Sequence, residues 1–208
     1  NGDMIFFGAG SDGVVNHTMG LLREQVARDM GLIKDSWELL WVVDFPMFEP
    51  DTGFLRADTN ATWHAMHHPF TKPSLAPGDT LENAHRHCLS HAYDLVLNGC
   101  EIGGGSERIH DYAMQIEVLK VLGFNQAQSE QKLGHLLQAL RFGAPPHAGF
   151  ALGIDRFCML LLTKNSIRDV IAFPKTQTAA CMLTDAPSAL QDSDISELAL
   201  SLTALDLE

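Results

Sequence analysis

Residues 93–110, YDLVLNGCEIGGGSERIH, constrain the chain more than any other stretch. Residues 93–97 are apolar and strand-like, and Asn98-Gly99 is a strong two-residue hairpin signal, because both turn positions need φ > 0. Such a turn sets Leu97 opposite Cys100, Val96 opposite Glu101 and Leu95 opposite Ile102. Asp94 and Glu101 then share one face as diagonal neighbours. At about 6 Å and an effective dielectric of about 20, two carboxylates repel by roughly 2–3 kcal/mol, so a cation or a proton has to compensate. Gly103, Gly104 and Gly105 remove side chains just beyond, which lets a ligand approach the backbone. Arg108 adds a planar fork suited to a carboxylate or phosphate. By themselves these residues fit either an edge hairpin with solvated acids or the wall of a ligand site.

The rest of the chain bounds that choice. Its 208 residues suffice for one sizeable core, or one domain and part of another. No apolar run approaches transmembrane length, and the longest, residues 157–162, reads as a helix core. A net charge of −12 disfavours a general nucleic-acid-binding surface. Cys88, Cys100, Cys158 and Cys181 lack C-x-x-C spacing, which fits free thiols in a reducing, cytoplasmic setting. The chain opens on Asn1 without a secretory or transit segment and reads as an excised piece of something longer.

In order, residues 2–9 read as an apolar strand, followed by a helix from about His17 with Met19, Leu22, Val26 and Met30 on one face and Gly31 as its stop. Residues 32–38 form a linker, and residues 39–45 a buried strand ended by Pro46. Residues 49–60 read as a mobile loop. In residues 65–71, AMHHPFT, Pro69 pushes His68 toward extended geometry, so His67 and His68 point in opposite directions. Taken alone they read as two surface histidines in a loop; in the company of a site, one can enter it and the other support it. Residues 82–90 read as helical, which puts His87 and His91 on one face. With His85 and Cys88 they raise a metal site, but no general base or supporting pattern accompanies them, and solvated histidines are the preferred reading. Residues 112–122 and 126–142 read as amphipathic helices, the second opened by a capping box of Asn125 and Gln128. Residues 149–162, GFALGIDRFCMLLL, form a strand that breaks at Gly153 before a helix starting near Asp155. Arg156 in its first turn opposes the helix dipole, which makes sense if an anion binds both arginine and free N–H groups. The alternative is pairing to Asp155 or solvent. Residues 167–175 read as a short strand, and the last twenty as a surface helix or disordered end.

Together, AMHHPFT, YDLVLNGCEIGGGSERIH, PPHAGFALGIDR, IRDVIAFPK and TAACMLTDAPS, in this order, resemble the C-terminal part of bacterial-type aspartyl-tRNA synthetase, with GFALGIDR similar to motif 3 of class II synthetases. The resemblance implies an α+β fold, a class II antiparallel sheet flanked by helices, over residues 36–208. Residues 1–35 resemble the end of the domain inserted between motifs 2 and 3. It implies that His67 contacts aspartate with His68 beside it, and that Arg108 clamps the substrate side-chain carboxylate. By the same resemblance Glu101 holds ATP through Mg²⁺ with Asp94 as companion, and Gly153, Ile154, Asp155 and Arg156 lie at the ATP. The implied partners are ATP, L-aspartate and tRNA-Asp, in a homodimer without membrane attachment. Charging of both tRNA-Asp and tRNA-Asn is a near alternative, and a non-catalytic paralogue acting as a binding module is a more distant one. Motifs 1 and 2 and the anticodon-binding barrel are absent from these residues, so the piece alone is expected to be inactive. Residues 54–63 and the histidine-rich segment 85–91 are not features of the resemblance.

Overall fold

The structure, a computed structural model, describes residues 2–50 and 63–199. Most of the expected loop 49–60, and residues 200–208 of the expected tail, lie outside the described residues. Two compact units are present, Asn1–Glu38 and Leu39–Glu208.

The first unit is built on α1 (Asp12–Asp29), which starts earlier than expected because Ser11 is extended at the N-cap position and Asp12 supplies first-turn negative charge. Met19, Leu22 and Val26 are half-buried, whereas Met30 is exposed. Residues 2–9 are not a strand. The run is apolar enough for one, but no described strand pairs with it. Gly8 instead lies against α1, where a Cβ would come within 3.0 Å of Met19 Cγ and 3.2 Å of Val15 Cγ1.

The second unit contains β1 (Leu39–Val43), β2 (Phe48–Pro50), β3 (Trp63–Ala65), β4 (Pro73–Ser74), α2 (Leu81–Ala84), β5 (Leu89–Ser90), β6 (Ala92–Leu97) and β7 (Cys100–Glu107). There follow α3 (Tyr112–Val121), α4 (Gln126–Phe142), β8 (Ala148–Leu152), α5 (Ile154–Leu161), a 3₁₀ turn (Ile167–Asp169) and α6 (Asp192–Glu197). An antiparallel sheet runs in the order β1-β6-β7-β8, and two short ladders pair β2 with β3 and β4 with β5. The core gathers Met47, Phe48, Leu81, Ala84, Cys88, Ile109, Val118 and Leu122 beneath α3. Helices α3 and α4 form as the apolar periodicity predicts. Asp111 accepts from the Met114 N–H to cap α3, and the Asn125–Gln128 capping box opens α4 with both reciprocal bonds made.

Four further expectations need correction. β1 is exposed rather than buried: it is an edge strand, and Leu39, Trp41 and Val43 are each more than half exposed. Likewise α5 forms, but Leu161 and Leu162 at its end are exposed rather than core. The helix expected over 82–90 stops at Ala84, so His87 and His91 do not share a helical face. His91 instead faces Glu107, with Nδ1 3.7 Å from Oε2, while His85 stacks edge-on with Trp63 at 5.1 Å. Residues 167–175 turn rather than extend, because the Ser166 side chain accepts from the Arg168 N–H and caps a 3₁₀ turn.

Beside the sheet, Lys72 pairs with Glu107, and this hydrogen bond holds the Glu107 carboxyl below its usual range. A depressed folded value means that the pair contributes stability above about pH 4.5, lost as the pH falls further. In Glu107→Gln, thermal melts from neutral pH into acid should lack that share of the acid-limb decline. An unchanged limb would assign the decline to other carboxylates.

Candidate active site

The hairpin turn forms as its residues dictate, with Asn98 at φ 49° and Gly99 at φ 79°. Leu97 faces Cys100 and Val96 faces Glu101, as expected. The register then shifts, so that Leu95 faces Gly103, Asp94 faces Gly104 and Ala92 faces Ser106. Ile102 is the extra residue of a bulge. Opposed residues point to one face, so Asp94, Glu101, Gly104 and Ser106 share a side of the sheet, and the alternation continues to Arg108. Without the bulge, Glu101 and Arg108, seven residues apart, would face opposite ways.

The bulge is pinned by the residues that follow the neighbouring strand β8. The Gly153 N–H donates to the Ile102 carbonyl at 2.7 Å, and Arg156 Nη1 donates to the Glu101 carbonyl at 3.0 Å. The same Nη1 donates to Glu101 Oε2, also at 3.0 Å. Arg156, the residue set against the helix dipole, is therefore steadied by Glu101 rather than by Asp155.

The triglycine is part of β7, paired on both sides, rather than a loop beyond it. Its glycines are required by neighbours already present. A Cβ on Gly105 would lie 1.8 Å from the Gly149 carbonyl oxygen, and one on Gly103 would lie 2.7 Å from that of Ala151. On the site face, the space at Gly104 is taken by Asp94, whose Oδ1 would sit 2.3 Å from a Cβ.

These elements line one cleft of about 530 Å³, within the size range of small-ligand sites. His67, His68, Asp94, Glu101, Arg108, Gly153, Asp155 and Arg156 all border it; Ile154 does not, and is exposed instead. Both histidines reach the cleft because the chain bends at Met66 and His67, which removes the alternation of an extended strand. His67 packs edge-on against Phe45 at 4.7 Å, and His68 reaches Arg108. Thr71 and Ser106, each 1% exposed, and Ile167 also line the cleft and were not anticipated. Ser106 could have been found once the parity flip was known, since it lies two residues before Arg108.

The electrostatics follow from this packing. Burial first, and the Glu101 charge second, push the Asp94 carboxyl above its usual range, while His67 opposes them. Burial, then Arg108 and His67, hold the His68 imidazole below its ordinary value. Arg108 has no carboxylate partner among the described residues. Asp94 and Glu101 supply hard oxygen donors on one face, a set that fits Mg²⁺, which takes one or two carboxylates and fills its shell with water and phosphate. Among the described residues no group of three His, Cys, Asp or Glu side chains converges on a metal position, so the histidine-rich segment does not assemble one.

The sequence profile of the family described as tRNA synthetases class II (D, K and N) matches residues 18–177. The chain belongs to this family, and its helices and antiparallel sheet form part of the class II synthetase α+β fold. It is similar to the crystal structure of asparaginyl-tRNA synthetase from Pyrococcus horikoshii, at 26% identity and a TM-score of 0.45, over 67% of this chain and 26% of that one. It is also similar to aspartyl tRNA synthetase from Entamoeba histolytica, at 22% identity and a TM-score of 0.48, over 85% of this chain and 29% of that one. The Entamoeba histolytica asparaginyl-tRNA synthetase in complex with asparaginyl-adenylate matches at 24% identity and a TM-score of 0.47, over 75% of this chain and 28% of that one. The chain thus spans about a quarter of the length of these structures. No described helix is long and apolar enough to cross a membrane.

Proposed function

We propose that this chain carries part of the active site of an aspartate–tRNA ligase of bacterial type, with residues 1–35 from an inserted domain and residues 36–208 from the catalytic domain. The observation that carries the reading is the bulge at Ile102, which sets an arginine with no carboxylate partner among the described residues on the same face as two carboxylates. Arg108 binds the side-chain carboxylate of L-aspartate. A guanidinium presents only donors, so it prefers a carboxylate to the amide of asparagine and rejects the ammonium of lysine. His67 borders the amino-acid end of the cleft. Gly153, Asp155 and Arg156 border the nucleotide end, while Ile154 is exposed and lies outside the cleft lining.

Asp94 and Glu101 would hold Mg²⁺. When bound, the ion offsets the negative charge of the ATP phosphates. The substrate α-carboxylate attacks the α-phosphate of ATP, giving aspartyl-adenylate and pyrophosphate, and the aspartyl group then passes to the 3′ end of tRNA-Asp. The residues at hand orient and neutralise charge, and no side-chain nucleophile is needed. On this reading the complete protein is a cytoplasmic homodimer that uses ATP, L-aspartate and tRNA-Asp.

ATP–pyrophosphate exchange by the complete protein tests this with aspartate, asparagine and lysine as separate amino-acid substrates. Exchange that depends on aspartate and is at least about 10²-fold weaker with asparagine is the expected result. Exchange with asparagine or lysine in preference would overturn the assignment.

A further inference from the structure

His68 accepts, at a single ring nitrogen, from two donors of different origin. Its Nδ1 takes the Phe70 backbone N–H at 3.1 Å and lies 3.3 Å from Arg108 Nη1. Arginine has no acceptor and keeps its proton, so the second contact is a hydrogen bond only when Nδ1 carries no hydrogen. Both contacts therefore demand the neutral imidazole with its proton on Nε2. Thr71 Oγ1, buried, sits 3.3 and 3.4 Å from the two ring nitrogens and 3.4 Å from Ser106 Oγ, and the Phe70 ring lies 5.8 Å from the imidazole. The ring is thus held on several sides. Burial and the Arg108 charge favour the same neutral form.

We propose that His68 is a positioning residue: as a neutral acceptor it fixes the Arg108 guanidinium in the cleft without cancelling its charge. An arginine that must take a substrate carboxylate needs its direction set but its charge left available. A carboxylate in place of His68 would orient the fork equally well, but it would compete with the substrate for it. A neutral imidazole avoids that competition. Arg108 is anchored independently at its backbone, where its N–H donates to the His147 carbonyl at 2.9 Å, so His68 governs the side chain alone. The role differs from direct contact with aspartate and rests on the reading that Arg108 binds the substrate carboxylate.

The test is aspartate-dependent exchange by the complete protein, with KM for aspartate and for ATP measured separately. His68→Ala should raise the aspartate KM about tenfold and leave the ATP KM within about twofold. His68→Asn keeps a neutral acceptor and should restore the aspartate KM to within about threefold of wild type. His68→Asp should be worse than alanine, by about tenfold more, because it pairs with Arg108. In an Arg108→Lys background, His68→Ala should add nothing further, since the two act as one unit. Losses that multiply in that background, an aspartate variant no worse than alanine, or equal rises in both KM values would each overturn the positioning role. Wild-type protein without aspartate-dependent exchange would instead remove the functional reading beneath it.

Discussion

Arg108→Ala is expected to raise the KM for aspartate by about 10²–10³-fold in the exchange reaction, with the KM for ATP unchanged. The asymmetry comes from where the arginine sits. Arg108 lies at the end of β7 beside the histidines, bridged by backbone to Thr71, while the arginine of α5 lies across the cleft on Glu101. On the proposed assignment, removing Arg108 leaves the substrate carboxylate in the cleft with no matching charge, a loss of about 2–5 kcal/mol for a hydrogen-bonded charge pair. Arg108→Lys keeps the charge and loses the fork, so it should recover only part of the affinity. If both variants raise the two KM values equally, Arg108 supports the fold and does not read the amino acid.

The second large effect is structural. Gly105→Ala should destabilise the protein by at least about 3 kcal/mol, or roughly 6–12 °C in Tm. The new methyl would lie 1.8 Å from the Gly149 carbonyl oxygen and 2.9 Å from the Tyr93 ring. The first is backbone, held in register between Gly105 and Phe150, and the second is tied by the Tyr93 hydroxyl, which donates to that same carbonyl at 2.9 Å. Neither can yield without parting β7 from β8. Gly104→Ala offers a contrast. Its methyl meets the Asp94 carboxylate, a side-chain end that can swing aside, so the stability loss should be smaller and the damage should fall on nucleotide use. A Gly105→Ala protein that melts within about a degree of wild type would contradict the close packing of β7 on β8.

These two sites show which parts of the molecule a linear reading reaches. The hairpin turn, the two pairs nearest it and helices α3 and α4 follow from local chemistry: positive φ at Asn98 and Gly99, apolar periodicity, and the Asn125–Gln128 box. That Glu101 and Arg108, seven residues apart, cannot share a strand face without an irregularity is legible too. The sequence points to the triglycine as its place, but Gly103, Gly104 and Gly105 are regularly paired. The bulge falls at Ile102, just before the triglycine, because Gly153 and Arg156, more than fifty residues away, bind the backbone there. For the same reason the Arg156–Glu101 pair was invisible to spacing. Burial failed where it depends on what covers an element. The LLWVV run has the composition of a buried strand, yet β1 is an open edge. Around Val170 and Ile171 a strand-like composition yields to a capped turn, because strand propensity counts only beside a partner edge.

The most direct measurement is calorimetric binding of a non-hydrolysable aspartyl-adenylate analogue to the complete protein, beside its asparaginyl counterpart. Tight aspartyl binding, weakened by at least about 10²-fold in Arg108→Ala and always stronger than asparaginyl binding in the wild type, is the predicted result. Equal affinity for the two analogues, or aspartyl binding indifferent to Arg108, would contradict a carboxylate-reading site built by the bulge at Ile102.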